Sequence, residues 1–248
     1  MTQTNDRLAV QPDPRAAVQP TITLLIPTLN EIVGVKTTIP NIDRGLFEHV
    51  VVLDGGSTDG TVEHVRSLGI EVREQKRPGL THAVYDVVKD LKTDYVIEFS
   101  PDGNCLVEKL PELVVKLREG FDMVVVSRYL PPARSYDDHL ISAFGNHVFS
   151  WLIRKLGQFP ITDSLNIYRG YRCCLVHDAE VDALLRGPVL EALLSALCNL
   201  RGMRMAEIAG DEPKRIAGES KTHHIFNGWW VLVVVFRVYL LKWFGSRT

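Results

Sequence analysis

The feature that most constrains this chain is a repeated alternation between short apolar runs and helix-forming segments. Four runs are apolar along most of their length, at residues 21–27, 50–54, 95–100 and 123–127. They lack the polar alternation of a strand with one face in water, so they predict strands covered on both faces. Helical spacing marks residues 32–39, 61–68, 80–91 and 107–119 between them. The alternation predicts an α/β fold, with a mostly parallel sheet and helices on both faces.

Composition narrows the class of protein further. The 248 residues are 46% hydrophobic and 23% charged, as in an ordinary globular protein, and the net charge of −2 argues against a nucleic-acid partner. The spacing of the four cysteines fits no zinc site, so reduced thiols in a cytoplasmic protein are expected. Residues 1–20 are polar, contain three prolines and have no apolar segment of the kind found in a secretory signal. They predict a flexible leader before a domain at residues 21–222.

Ligands of parallel α/β sheets bind at the carboxyl ends of the strands, so the residues that follow each run are candidates. Pro27 and Glu31 follow the first run, and Asp54 ends the second, before two glycines that let a ligand approach the backbone. Glu31 has an alternative role as a helix-start acid, and Asp54 as a turn former. These loops match neither a nucleophile elbow, nor a phosphate-binding P-loop, nor a dinucleotide fingerprint.

One acidic residue is a metal candidate. Asp102 follows the run at 95–100 in a Pro-Asp-Gly turn. Mg²⁺ takes one or two carboxylates and leaves its other positions to water and phosphate, so this acid predicts a metal-bound diphosphate; a plain Asp-Gly turn is the alternative. Glu98 lies two strand residues from Ser100, roughly 6.5 Å away, and is expected to be a buried, paired carboxylate.

Basic residues are expected at the same edge of the sheet. Arg128 follows the run at 123–127, and Arg215 and Lys221 belong to a glycine-containing loop. Arginine binds phosphate through two parallel hydrogen bonds and lysine adds a point charge, although a solvated linker is the alternative for this loop. Asp163 precedes a short strand expected at 166–169. We expect these groups to converge on one site.

The C-terminal segment has the composition of a membrane-interface helix. Residues 229–244 would form a helix of roughly 24 Å, shorter than the roughly 30 Å core of a bilayer. Arg237 and Lys242 interrupt the segment, and tryptophans stand at both of its ends, where interfacial aromatic residues concentrate. The pattern predicts an amphipathic interfacial helix over residues 223–248. A core or dimer helix and a tilted insertion are the alternatives.

Several motifs together carry a family resemblance. In chain order they include IPTLNE, VVVLDGGSTDGT, GLTHA, VSRY, FGN and RIAGESK. Over residues 21–221 this set resembles family 2 GT-A glycosyltransferases, and within them the dolichyl-phosphate mannose synthase and polyprenyl-phosphate glycosyltransferase branch. The implied fold is a Rossmann-like GT-A domain followed by the interfacial helix.

The resemblance also implies roles for individual residues. The donor nucleotide would contact Pro27, Glu31 and Asp54, and Gly79 would be a further substrate-binding residue. Mg²⁺ or Mn²⁺ would be held by Asp102, with Asn104. The phosphates of donor and acceptor would lie near Arg128, Arg215, Ser220 and Lys221. Asp163 would face the sugar near the reaction centre, which makes the catalytic set Asp102, Asp163 and Arg128.

Two positions depart from the family pattern. The family usually has a second aspartate where Gly55 stands, and its metal motif is usually Asp-x-Asp, whereas Ser100 takes the first place here. Fewer carboxylates imply weaker metal binding, or compensation by Asn104 or Glu98. The donor stays open between GDP-mannose and a UDP-sugar.

The function implied is metal-dependent, inverting transfer of mannose or glucose from a nucleotide sugar to a polyprenyl phosphate. The enzyme would be cytoplasmic and peripherally bound to the membrane through its C-terminal helix; homo-oligomerisation stays open. One alternative is a GT-A transferase that acts on a soluble or glycan hydroxyl, with Asp163 or Glu191 as general base. Another is a degenerate protein that binds nucleotide sugars without turnover.

Overall fold

The computed structural model describes residues 19–137, 140–216 and 224–244, apart from the side chains of residues 141 and 224–226. The strands are β1 (Ile22–Thr28), β2 (His49–Asp54), β3 (Glu71–Glu74), β4 (Tyr95–Glu98), β5 (Met123–Ser127), β6 (Arg169–Arg172) and β7 (Met205–Ala209). The α-helices are α1 (Ile32–Thr38), α2 (Thr61–Ser67), α3 (Leu80–Asp90), α4 (Leu110–Arg118), α5 (Leu140–Arg154), α6 (Ala179–Leu184), α7 (Leu190–Leu200) and α8 (His224–Phe244).

The strands form one sheet in the order β3-β2-β1-β4-β6-β5-β7. Neighbouring strands are parallel except around β6, which runs antiparallel to both β4 and β5. The predicted α/β fold with a mostly parallel sheet is confirmed. The carboxyl ends of β1, β2, β4, β5 and β7 therefore meet at one edge.

Each face of the sheet is covered by helices. One core cluster joins sheet residues such as Leu24 to α1, α2 and α4, and a second joins the opposite face to α3, α7 and α8. Leu24, Val52, Val96 and Val125 are fully buried. Burial on both faces is the physical reason that these runs are apolar without alternation.

Some elements differ from the predicted ones. β3 was not predicted because its sequence, Glu-Val-Arg-Glu, is polar and the strand lies at the sheet edge. A strand was expected at 166–169 but runs over Arg169–Arg172. The helical pattern of residues 184–200 is expected to break at Gly187–Pro188, and the structure confirms the break: α6 ends at Leu184 and α7 begins at Leu190. Gly187 has φ +70° and lies so close to the Trp230 ring that a Cβ would stand 2.6 Å from it.

The C-terminal helix α8 packs on the rest of the chain along one side. Val231, Val234, Val235 and Val238 are buried in the core cluster that contains α7. The other side exposes a row of large apolar residues: Trp229, Leu232, Phe236, Leu240, Trp243 and Phe244. Within α8, Asn227–Phe244 is long and apolar enough to cross a membrane. The interfacial role and the boundaries of the leader and the domain stay predictions.

Candidate active site

A cleft of about 1590 Å³ opens at the carboxyl edge of the sheet. The residues predicted for the site that line it are Pro27, Glu31, Gly79, Asp102, Asn104, Arg128 and Arg215. Two others, Asp54 and Asp163, are buried, with exposed fractions of 2% and 0%. Ser220 and Lys221 lie outside the described residues. The topology thus brings groups from the loops after β1, β3, β4, β5 and β7 to one place.

The loops after β1 and β2 are joined to each other. The Asn30 amide donates to the Ser57 hydroxyl at 2.8 Å, and the Thr58 amide donates to the Asn30 side chain at 2.8 Å. Asn30 has φ +56°, in the left-handed region that asparagine tolerates. In the same junction, the Glu31 amide donates to the Thr61 hydroxyl at 3.0 Å. These bonds hold Glu31 at the cleft.

Asp54 is engaged by its own loop. Its Oδ2 accepts hydrogen bonds from the amides of Gly56 and Ser57 at 2.8 and 2.9 Å, and its Oδ1 accepts from the Ser57 hydroxyl. Gly55 sits close behind the end of β1, where a Cβ would lie 3.3 Å from the Thr28 carbonyl oxygen. Asp54 therefore shapes the loop, and its contact with a nucleotide stays a prediction.

The donor set around Asp102 fits a hard divalent cation. Asp102 is 7% exposed, and its Oδ1 accepts from the Asn104 amide at 3.1 Å. Among the described residues, the Asn104 Oδ1 is buried without a hydrogen-bond partner. A carboxylate beside an unpartnered amide oxygen offers the ligands that Mg²⁺ or Mn²⁺ takes. The described part of the chain groups no three His, Cys, Asp or Glu side chains that could hold a metal.

Arg215 lies between two acids at this position. Its Nη1 is 3.6 Å from Asp102 Oδ2, and its Nε donates to Asp137 Oδ2 at 3.1 Å. Burial raises the pKa of Asp137, but hydrogen bonds from Asn104 and Arg215 outweigh burial and lower it overall. Asp137 was missed from the sequence because it lies in an irregular loop ten residues beyond β5.

The loop of Asp102 rests directly on helix α1. A Cβ on Gly34 would lie 2.4 Å from the Pro101 carbonyl oxygen, which is far inside van der Waals contact. The Thr38 hydroxyl also donates to the same carbonyl at 3.3 Å. The absence of a side chain at residue 34 therefore sets the position of the metal candidate.

Substituting Gly34→Ala tests this contact. We expect a loss of about 1–3 kcal/mol in the free energy of unfolding, because two backbone segments must move apart. The affinity for Mn²⁺ should also fall, because a shift of Pro101 moves the neighbouring Asp102. Denaturant unfolding and calorimetric titration measure the two effects. Gly145→Ala is the matched control, because a Cβ on this α5 glycine would lie 3.7 Å from the Phe149 ring, at ordinary van der Waals distance. Equal stability of the two variants would contradict the role of Gly34.

Arg128 is held by a buried carboxylate. Its Nε donates to Asp163 Oδ2 at 2.7 Å and its Nη2 to Asp163 Oδ1 at 3.0 Å, while Asn146 Nδ2 donates to Oδ1 at 2.6 Å. Burial raises the pKa of the Asp163 carboxyl, but the charge and hydrogen bonds of Arg128 outweigh burial and hold it below its usual range. Asp163 thus lies against Arg128, and its expected place beside the sugar stays a prediction.

Glu212, from the loop after β7, completes the anchorage of Arg128. Its Oε1 accepts from Arg128 Nη1 at 3.1 Å, and its carboxylate also bonds the Ser135 hydroxyl. Glu207, on β7, fixes the backbone that carries Asp163. It accepts hydrogen bonds from the amides of Thr162 and Asp163, both at 2.9 Å. Neither glutamate was found from the sequence, since each lies in or after an ordinary edge strand.

Two further predictions, a buried and paired Glu98 and free cysteine thiols, are confirmed. Glu98 is buried, 1% exposed, and its Oε1 accepts from the Tyr171 hydroxyl at 2.7 Å. The cysteines carry no disulfide: Cys105, Cys173, Cys174 and Cys198 are all free.

The chain is similar in sequence to known glycosyltransferases. The family model described as glycosyl transferase family 2 matches residues 23–178. A dolichyl-phosphate hexose transferase of Haloferax volcanii is 30% identical over 210 residues, which are 84% of this chain and 89% of that protein. Glycosyltransferase AglJ of the same organism is 29% identical over 74% of this chain, which spans 60% of that relative's length.

Solved structures share the fold. Glucosyl-3-phosphoglycerate synthase from Mycobacterium tuberculosis, in complex with Mn²⁺, uridine diphosphate and phosphoglyceric acid, superposes with a TM-score of 0.67. The sequence identity is 21%, and the match covers 90% of this chain and 80% of that one. The expected GT-A fold is confirmed.

Proposed function

Because the chain belongs to glycosyl transferase family 2 and is a glycosyltransferase, we propose that it transfers mannose or glucose from a nucleoside-diphosphate sugar to a polyprenyl phosphate. Relatives with the names dolichyl-phosphate hexose transferase and dolichol-phosphate mannosyltransferase support this class of acceptor. The observation that carries the proposal is one cleft that joins Asp102 and Asn104 to Arg128 and Arg215.

The size of the cleft suits two substrates, and its basic side chains can meet their phosphates. Its volume of about 1590 Å³ exceeds the roughly 300–1,000 Å³ of a pocket for one drug-sized ligand. Arg128 and Arg215 both line it, and Lys214 adds a third positive charge. These cations would offset the repulsion between a diphosphate and a phosphomonoester.

The acceptor phosphate needs little activation. The second pKa of a phosphomonoester is about 6, so the nucleophile is largely ionised at neutral pH. The chain then has to orient the two substrates and neutralise charge. Arg128 is oriented by Asp163 and Glu212, so its guanidinium is fixed before substrates arrive. A divalent cation bound at Asp102 and Asn104 would supply charge for the leaving diphosphate. Direct displacement on the anomeric carbon would invert its configuration.

A second candidate is transfer to a soluble or glycan hydroxyl, which requires a general base. Asp163 is poorly suited, because Arg128 and Asn146 occupy both of its oxygens. Glu191 lines the cleft, and burial raises its pKa. That observation keeps Glu191 as the base candidate for this alternative. The remaining alternative is a degenerate protein, which would bind nucleotide sugars and transfer no sugar.

Product analysis tests these assignments together. Purified enzyme is incubated with UDP-glucose or GDP-mannose, with or without a polyprenyl phosphate, in Mg²⁺, Mn²⁺ or EDTA. We expect mass spectrometry to find a hexosyl polyprenyl phosphate that forms only with a divalent metal. Transfer to a soluble hydroxyl without lipid would support the second candidate. Binding without any product would support the degenerate protein.

We further propose that the exposed side of α8 rests on a membrane surface. Trp229, Phe236 and Trp243 are 64%, 63% and 73% exposed. Helix α5 contacts α8, and its Phe144 is 72% exposed and also lines the cleft. Aromatic residues at a helix surface are typical anchors at a lipid interface.

The triple substitution of Trp229, Phe236 and Trp243 by glutamine tests this surface. We expect binding to anionic liposomes to fall at least about tenfold, because each buried aromatic contributes on the order of 1.5–3 kcal/mol. Co-sedimentation measures the change, and Val115→Gln, on exposed α4 surface, is the control. Deletion of residues 225–248 is unsuitable, since it would remove four core valines. Unchanged sedimentation of the triple variant would contradict the interfacial role.

A further inference from the structure

Two neighbouring carboxylic acids, buried Glu98 and half-buried Glu191, are unused by the proposed transfer. Glu98 ends β4, and Glu191 is in the first turn of α7. Glu98 faces the α7 layer, because its neighbour Val96 on the same strand face belongs to the core cluster that contains α7. Glu191 also lines the cleft, so the pair connects the core to the substrate site.

A charge count indicates that this pair keeps one proton. The charged or titratable groups that face it are Arg169 and Tyr171 on β6, with Cys173 beyond Tyr171. Arg169 is fully buried and stands opposite Glu98 in the register of β4 and β6. One guanidinium balances one carboxylate, and a second uncompensated negative charge beside the first is unfavourable where most of the water is excluded.

The hydrogen bonds of Arg169 agree with this count. Its guanidinium donates to the backbone carbonyls of Asn166, Glu191 and Ser164, at 2.6, 3.0 and 3.0 Å. It also donates to the Ser195 hydroxyl at 2.9 Å. These partners are neutral, so the bonds fix the cation in place and leave its charge to act on both carboxyl groups.

The local contacts assign the proton to Glu98. Its Oε1 accepts from Tyr171, while its Oε2 is buried and has no hydrogen-bond partner among the described residues. Burial and the charge of Glu191 raise the pKa of Glu98 to about 8. Burial also raises the pKa of Glu191, but this group lies in the first turn of an eleven-residue helix, where the helix dipole favours the anion.

We propose that Glu191 recognises hydroxyl groups of the donor sugar, with protonated Glu98 behind it as a positioning residue. This inference rests on the proposed function for the identity of the donor. The chemistry of the cleft limits the choice: a carboxylate repels phosphate, and burial of an apolar tail against it would leave the charge unpaired. Hydroxyl groups donate hydrogen bonds to a carboxylate, and the transferred sugar carries several of them; the comparison of nucleotide with nucleotide sugar separates this contact from one to the ribose or the base.

Comparing nucleotides with nucleotide sugars isolates the sugar contact. Calorimetry in Mn²⁺ gives the affinities of UDP, GDP, UDP-glucose and GDP-mannose for wild type and for Glu191→Gln. We expect the nucleoside diphosphates to bind within twofold of wild type, and the nucleotide sugar to bind about tenfold or more weakly, as for a lost hydrogen bond to a charged group. Glu63→Gln, an exposed glutamate on α2, is the matched control. An equal loss for nucleotide and nucleotide sugar, or no loss for either, would overturn the proposal.

The role of Glu98 is tested by measuring how the preference for nucleotide sugar over nucleotide depends on pH. In wild type, the preference for nucleotide sugar over nucleotide should fall above about pH 8, because ionised Glu98 repels Glu191. In Glu98→Gln this fall should disappear, since an amide does not ionise. Wild-type stability should also decline as pH rises from the ordinary carboxyl pKa of 4.5 towards 8 and then level off, because the folded state holds the proton more tightly. Identical pH profiles for the two proteins would overturn the positioning role.

These measurements remain informative on their own. If Glu191→Gln does not fold, the loss of sugar preference above pH 8 in wild type still decides the proposal. The binding assay contains no acceptor, so its outcome is independent of the polyprenyl phosphate. A wild type that makes hexosyl lipid but fails the sugar-contact test refutes only the inference. A wild type that makes no lipid product but passes the test refutes the proposed transfer to lipid and leaves the sugar contact standing.

Discussion

Asp102→Asn is expected to reduce sugar transfer at least about 100-fold, the scale of losing one preorganised electrostatic contact in an active site. The substitution removes a negative charge that lies 3.6 Å from Arg215 Nη1, in the loop that also carries the unpartnered Asn104 oxygen. The asparagine oxygen still accepts from the Asn104 amide, so the loop keeps its shape. We expect weakened Mn²⁺ binding in calorimetry and an almost unchanged unfolding midpoint.

Asp90→Asn provides the matched control for this charge. Asp90 is exposed on α3, and its ion pair with Lys76 lies at the surface, where such pairs contribute little. It should leave transfer and Mn²⁺ affinity at wild-type levels. Wild-type transfer by Asp102→Asn, with wild-type Mn²⁺ affinity, would remove Asp102 from the metal site.

Asp163→Ala is expected to destabilise the protein by about 3–5 kcal/mol, because it breaks a buried ion pair and leaves Arg128 with one acidic partner. Transfer should fall as well, since Arg128 loses the two bonds that orient its guanidinium. Denaturant unfolding measures the first effect, and initial rates of lipid glycosylation measure the second. The matched control is Asp86→Ala, whose partner Arg77 is exposed, with an expected cost below about 1 kcal/mol.

The pH dependence of this loss has a defined sign. The pKa of Asp163 lies below its ordinary value of 3.8 in the folded protein. Its contribution is therefore complete above pH 3.8 and disappears as the pH falls through the folded pKa. The stability difference between wild type and Asp163→Ala should be constant near neutrality and shrink in acid. A difference of less than about 1 kcal/mol at pH 7 would contradict a structural role for this pair.

Much of the sheet and of the cleft edge was predictable from the sequence. Strands β1, β2, β4 and β5 are marked by apolar runs, because both of their faces are buried and local composition reports burial directly. Parallel strands bring their carboxyl ends to one edge, so the residues after them converge whatever their spacing along the chain. For this reason the strand pattern alone predicts that Pro27, Glu31, Asp102 and Arg128 share one cleft, as they do.

The sequence by itself determined the fold class, the edge that carries the cleft and the family. Only the tertiary structure decided the partners of the charged groups: Arg128 reaches Asp163 across 35 residues and Glu212 across 84. It also set the antiparallel strand β6, with buried Arg169, and the packing of α8 against the core. The physical reason is that periodicity and composition act over a few neighbouring residues. Ion pairing and burial of a charge, by contrast, depend on which distant segments the completed fold brings within a few ångströms.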